Sequence, residues 1–331
     1  MMENKMILTT VVGNYPKLTE GPVSATNVRQ AIHRRDVGEI TETELEKIFQ
    51  ENTSRVIREQ ESLGIDIITD GQIRWEDIVT PLAAKIEGFK INGLTRFFNN
   101  NVYYRRPVVV KKLEWKSPAT VETYRFAKSQ AKQTIKAVLP SPFTFAVLSE
   151  DTVYKDEKTL VFTLADILNC EAKALEAAGA PIIQFDEPAL VFNKEKVTLA
   201  IEGLRRAMAG VKVKKGIRTY FGDLSGILDP LLDTDMDFIG MDFVSTDGNR
   251  KLLAKKKISK GLGAGVVDAR NTKLEDPKAL EALVRELVEK TPQLYISPSC
   301  GLEFLPYASV APKLSRMVEV VRRINGKGGC S

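Results

Sequence analysis

The chain has 331 residues, 43% hydrophobic and 27% charged, which is the balance of a globular protein able to bury a large core and not that of a disordered one. The formal net charge of +5 and sequence pI of about 8.9 gather into no long basic arm; KLLAKKKISK at 251–260 is the densest basic stretch, and as a solvated helix end before a strand it implies no nucleic acid. No apolar stretch approaches the roughly 18 residues of a membrane span, MMENKMILTT lacks the apolar region of a secretory signal, and three widely spaced cysteines, Cys170, Cys300 and Cys330, suit a reducing cytoplasm better than a disulfide framework.

In chain order, apolar runs of strand length stop at polar or Gly/Pro residues: MILTTVVG (6–13), DIITDG (66–71), IKAVLPSP (135–142), PIIQFDEP (181–188), KKGIRTYFGD (214–223), DFIGMDF (237–243), SKGLGAGVVD (259–268) and LYISPSCG (294–301). Helical periodicity fills the gaps. The single histidine, His33, lies in NVRQAIHRRDVGEI, which reads as an exposed amphipathic helix. One surface histidine builds neither a His-centred triad nor a multi-His metal site. Residues 41–64 read as a helix with Thr41 as N-cap, Glu44 as its capping-box partner and Gly64 as C-cap. Further helices are expected at 163–179, 194–210 and 276–290.

Strand followed by helix, repeated, predicts a parallel sheet with helical crossovers. Eight such units predict an α/β fold of the (β/α)₈ TIM-barrel type, 1–331 forming one unit. An open doubly wound sheet would want a Gly-rich fingerprint after the first strand, where VVGNYP has one glycine. The segment 87–115, rich in aromatic and β-branched residues around an Asn run, breaks the alternation and predicts a β-hairpin excursion after the second strand.

In such a barrel the chemistry sits at the C-terminal strand ends. There the sequence places Gly13-Asn14, Asp70-Gly71-Gln72, Ser141, Asp186-Glu187, Arg218, Tyr220, Asp223, Asp242, Asp268 and Ser299-Cys300-Gly301. Together they predict a polar mouth for a small polar ligand, with acids and amides to hold amine and carboxylate groups.

TTVVGNYP, EQESLGIDIITDGQ, KAVLPSPFT, IIQFDEPAL, GLGAGVVDAR and SPSCGL, in this order from about residue 9 to residue 302, closely resemble the C-terminal catalytic barrel of cobalamin-independent methionine synthase. The usual enzyme has two barrels, and this chain looks like the catalytic barrel alone. The resemblance implies methyl transfer to a thiol such as homocysteine, from a folate or pterin donor or, as in short relatives, a methylated corrinoid. It also implies a zinc ion that lowers the thiol pKa and holds the thiolate. Asp186 is implied as an amine-binding carboxylate, with Gly13, Asn14, Gln72 and Glu187 at substrate-binding positions.

The sequence departs from the family at the metal. Its His-x-Cys pair is Arg218-Thr219-Tyr220 here, on the same strand face because i and i+2 point alike. Its zinc-binding glutamate aligns with Asp242, and its cysteine is kept as Cys300. Arginine stays protonated and tyrosine is rarely a ligand, so two candidate ligands out of four cannot make the expected site. A pocket without zinc is the expectation, with Arg218, Tyr220 and Asp186 carrying the chemistry. The family's DGE is Asp70-Gly71-Gln72, and its GSFP serine is Asn14, so one charged partner of a substrate ammonium is lost. Other readings stay open: a zinc-less paralogue acting on a different anionic small molecule, or a non-catalytic partner of a zinc-containing relative; a corrinoid protein or a related barrel is the partner the resemblance allows. None calls for nucleic acid or membrane.

Overall fold

A computed structural model describes residues 6–17, 27–98, 100 and 102–326; Cys330 lies outside the described residues. Twelve strands are present among them: β1 (Leu8–Thr9), β2 (Ile67–Ile68), β3 (Glu87–Arg96), β4 (Tyr103–Glu114), β5 (Thr134–Ile135), β6 (Ala137–Pro140), β7 (Glu150–Asp151), β8 (Ile182–Asp186), β9 (Lys214–Arg218), β10 (Phe238–Asp242), β11 (Gly261–Val267) and β12 (Leu294–Pro298). Seven form one curled parallel sheet in the order β1-β12-β11-β10-β9-β8-β6. β2 and β5 form a second parallel sheet. It touches β1 through the parallel bridge Thr10–Ile67, and the Lys136 N–H, in the one-residue break between β5 and β6, donates to Ile68 O.

β2, β6, β8, β10, β11 and β12 are buried throughout, as strands covered on both faces must be. The crossover helices carry their own start signals. Glu42–Leu63 begins at a Thr41–Glu44 capping box and ends at left-handed Gly64. Glu157–Ala177 starts six residues before the periodicity predicts, because Asp156 accepts from Thr159 N–H as N-cap. Residues 194–196 form a 3₁₀ turn before the helix Val197–Ala207, and Asp276 caps Pro277–Val288. His33 is exposed on the helix Val28–Asp36. Among the described residues no helix is long and apolar enough to cross a membrane.

β3 and β4 pair antiparallel, and β7 joins β4 in parallel. The chain leaving β4 is anchored by Glu171, a buried carboxylate on Glu157–Ala177 that accepts from Trp115 Nε1, the Ala119 and Thr120 N–H groups and Thr120 Oγ1. The opposite end of the pair, Phe97–Phe98, thereby comes to lie over the C-terminal strand ends, against Phe221 and Phe192.

Candidate active site

Asp186 ends β8, and the groups around it come from β8 itself and from the chain beside β1, β6 and β9. Gln184, two residues earlier on the same face, donates from Nε2 to Asp186 Oδ1 at 2.7 Å and to Val12 O at 3.0 Å. Its Oε1 accepts from Lys136 Nζ at 2.6 Å, and Tyr220 OH donates to Asp186 Oδ2 at 3.3 Å. Burial pushes the Asp186 carboxyl up to about 6 against the hydrogen bonds and the cations Lys136 and Arg218. Burial, reinforced by Arg218 and opposed by Asp186, brings Lys136 down to about 7. Tyr220 is pushed well above 10 by burial and by Asp186, so it keeps its proton. The Cys300 thiol is likewise held well above its ordinary range by burial and the acids Glu303 and Asp242.

Arg218 sits inside the sheet, buried, in register with Asp186 on one side and Gly240 on the other. Its Nη1 donates to Gly263 O at 2.9 Å and its Nη2 to Pro298 O at 2.7 Å; Nε, also buried, has no partner among the described residues. Three glycines make the room. A Cβ at Gly240 would overlap Arg218 Cδ, one at Gly263 would stand 3.1 Å from Nη1, and one at Gly265 would stand 2.5 Å from Nη2. The guanidinium is therefore built into the interior, where such sheets ordinarily pack branched apolar side chains. No carboxylate lies within ion-pair distance of it among the described residues, and its fork is closed by carbonyls.

The other predicted residues fall into two groups. Asp242 is used up by the chain: Oδ1 accepts from the Val244 and Ser245 N–H groups, and Oδ2 from the Phe221 N–H at 2.9 Å and Ser245 Oγ at 2.5 Å. Glu187 faces away from Asp186 and accepts from Ser141 Oγ and Thr144 Oγ1, joining the ends of β6 and β8; burial pushes it up to about 7. Asn14, in contrast, lines an open pocket, and Gln72 is buried against Gly13. Asn14 O accepts from Leu302 N–H, and its Oδ1 accepts from Lys17 Nζ at 2.5 Å. Gln72, at φ 46°, takes a backbone bond to Asp70 Oδ1 and lays its amide where a Cβ on Gly13 would stand, 2.7 Å from Oε1, so that position requires glycine.

A metal in this place would need several free anionic or neutral donors. Asp242 has both oxygens occupied by N–H and O–H donors, and two family positions supply a guanidinium and a protonated phenol, which leaves Cys300 alone as a usual zinc ligand. This donor set does not fit zinc.

Sequence reasoning missed the cover of the site. Phe221 follows Tyr220 at φ 75°, a conformation rare for an aromatic residue, and its N–H is held by Asp242. The turn directs its ring among Tyr220, Phe304, Phe97 and Phe98, with the Arg270 guanidinium 5.2 Å from its centroid. Phe98 stacks on Phe192 at 5.3 Å. The aromatic doublet in the Asn run was the one available signal. Lys136 and Gln184, within runs read only as apolar, were also missed.

The family model for the cobalamin-independent synthase catalytic domain matches residues 7–323. Proteins named methionine synthase from Sulfurisphaera tokodaii (34% identical, 96% of this chain and 93% of that protein) and Thermococcus kodakarensis (32% identical, 97% and 95%) are similar along nearly their whole length. Among solved structures, a B12-independent methionine synthase from Shewanella sp. W3-18-1 in complex with selenomethionine superimposes with a TM-score of 0.85 at 24% identity, covering 97% of this chain and 98% of that one. A putative vitamin-B12-independent methionine synthase from Listeria monocytogenes does so with 0.75 at 17% identity, covering 96% and 98%. These structures share the fold.

Proposed function

Since this chain belongs to the cobalamin-independent methionine synthase catalytic-domain family, we propose that it transfers a methyl group to the sulfur of a small thiol of the homocysteine type without a bound metal. The observation that carries this reading is the glycine-cradled Arg218, a fixed positive charge at one of the family's zinc positions. A cation held in a dry interior favours the anionic form of a nearby thiol, as a metal would, although less strongly. Asp186, oriented by Gln184 and Tyr220, takes the acceptor's ammonium group. The aromatic cover excludes water from the thiolate.

The donor that suits the family is a methylated reduced folate or pterin; a corrinoid donor or corrinoid-protein partner draws no support from a family defined by independence of cobalamin. In the transfer, a sulfur lone pair forms the S–CH₃ bond as the N–CH₃ bond breaks in line, and the proton given up by the thiol ends on the departing nitrogen. We read the sheet pairings as a (β/α)₈ barrel over 1–331, with 87–115 as an insertion.

Incubating the purified chain with L-homocysteine and methylated tetrahydrofolate or tetrahydropterin, with chelator present, tests the reading. Product methionine is expected, and Asp186→Asn raises KM for the thiol. No transfer from either donor to homocysteine or another small thiol overturns it.

A further inference from the structure

Among the described residues, two charged groups beside this site are left without an ionic partner. Lys17 is buried, and its Nζ donates to Asn14 Oδ1 at 2.5 Å and Tyr15 O at 3.2 Å. That uses two of its three N–H donors. Glu303 follows β12, its carboxylate folded back where a Cβ on Gly301 would overlap it, and its buried Oε2 has no hydrogen-bond partner among the described residues. Both side chains line one pocket of about 80 Å³, open to solvent and lined also by Phe97 and Tyr307. Among the described residues neither is within ion-pair distance of an opposite charge.

Leaving two opposite charges in a pocket without pairing them costs free energy unless something bridges them. Burial drives Lys17 down to about 8 and Glu303 up to about 7, each only partly offset by the other. Asp77, also at this pocket, is different: its oxygens accept from the Val79 and Thr80 N–H groups and Thr80 Oγ1, so it asks for nothing.

We propose that Lys17 and Glu303 are a clamp for the zwitterionic head of an α-amino acid, Lys17 Nζ taking the carboxylate and the Glu303 carboxylate the ammonium. A zwitterionic ligand satisfies both groups at once. Glu303, in the turn after β12, then supplies a carboxylate where the family position Gln72 is an uncharged amide, close enough to Asp186 to feel its charge. This inference rests on the reading of the acceptor as an amino-acid thiol and identifies the residues that select it.

Calorimetry on the full chain with L-homocysteine, L-methionine and the desamino and decarboxylated analogues of homocysteine tests the clamp. Glu303→Gln is expected to weaken homocysteine about tenfold or more while sparing the desamino analogue, and Lys17→Met to weaken it similarly while sparing the decarboxylated one. Glu303→Asp and Lys17→Arg restore most of the affinity and serve as folded controls. The clamp is overturned if the wild type binds neither amino acid, or if both neutral variants bind homocysteine as the wild type does. Clamp-dependent binding without methyl transfer would remove the proposed reaction and leave the clamp; transfer with KM for the thiol unmoved in both variants would do the reverse.

Discussion

The interior around Arg218 and the pocket beside Lys17 are both polar, yet they are finished to different degrees. Around Arg218 the chain answers its own charge: carbonyls of Gly263 and Pro298 take the fork, and glycines at 240, 263 and 265 yield the space. At the pocket, Lys17 has a spare donor and Glu303 a spare acceptor. Charges satisfied by the fold belong to stability and to the standing field of the site. Charges left open belong to a ligand.

Substitution should separate the two regions sharply. Arg218→Met, which strands buried carbonyls and leaves Asp186 and Asp242 without their nearby cation, is expected to destabilise the fold by about 3–5 kcal/mol in urea unfolding. A loss under about 1 kcal/mol would mean that the interior does not depend on the guanidinium.

Glu187 lies on the finished side as well. Its carboxyl is raised by burial from 4.5 to about 7, so the folded state favours the protonated form, and stability is lost as pH rises between those values, by about 3 kcal/mol at most. Glu187→Gln should flatten that slope; an unchanged pH profile would show that the carboxyl titrates as in the unfolded chain. A smaller effect is expected of Gly240→Ala, whose methyl meets Arg218 and should cost about 1–3 kcal/mol. The smallest is expected at the pocket, where Lys17→Met and Glu303→Gln should each change stability by less than about 0.5 kcal/mol while altering ligand affinity. A large loss of stability there would place both residues with Arg218 instead.

Much of this architecture was legible because the signals are local. Each strand run ended where a polar or Gly/Pro residue broke it, and Thr41, Glu44 and Gly64 announced their helix. The strand-end rule found Asp186, Arg218 and Tyr220, which do meet in the structure. What stayed hidden depends on contacts far apart in sequence. Nothing in IKAVLP shows that Lys136 turns inward to Gln184, 48 residues away. Nothing in GLGAG shows that its glycines make room for an arginine 45 residues earlier. The opposite orientations of Asp186 and Glu187 follow from strand alternation, but the hydroxyls that occupy Glu187 lie in the first turn of the helix Pro142–Val147 and its N-cap, 43 and 46 residues earlier. Lys17 and Glu303 are brought together only when the first strand meets the last.

The claim that this chain carries its own cation is tested most directly by titrating chelator-dialysed protein with Zn²⁺, in the presence of L-homocysteine, while methyl transfer is followed. A guanidinium-based site predicts no stoichiometric zinc uptake tighter than micromolar and a rate that zinc leaves unchanged. One tightly bound zinc per chain, with transfer abolished by its removal and restored by its return, would contradict it.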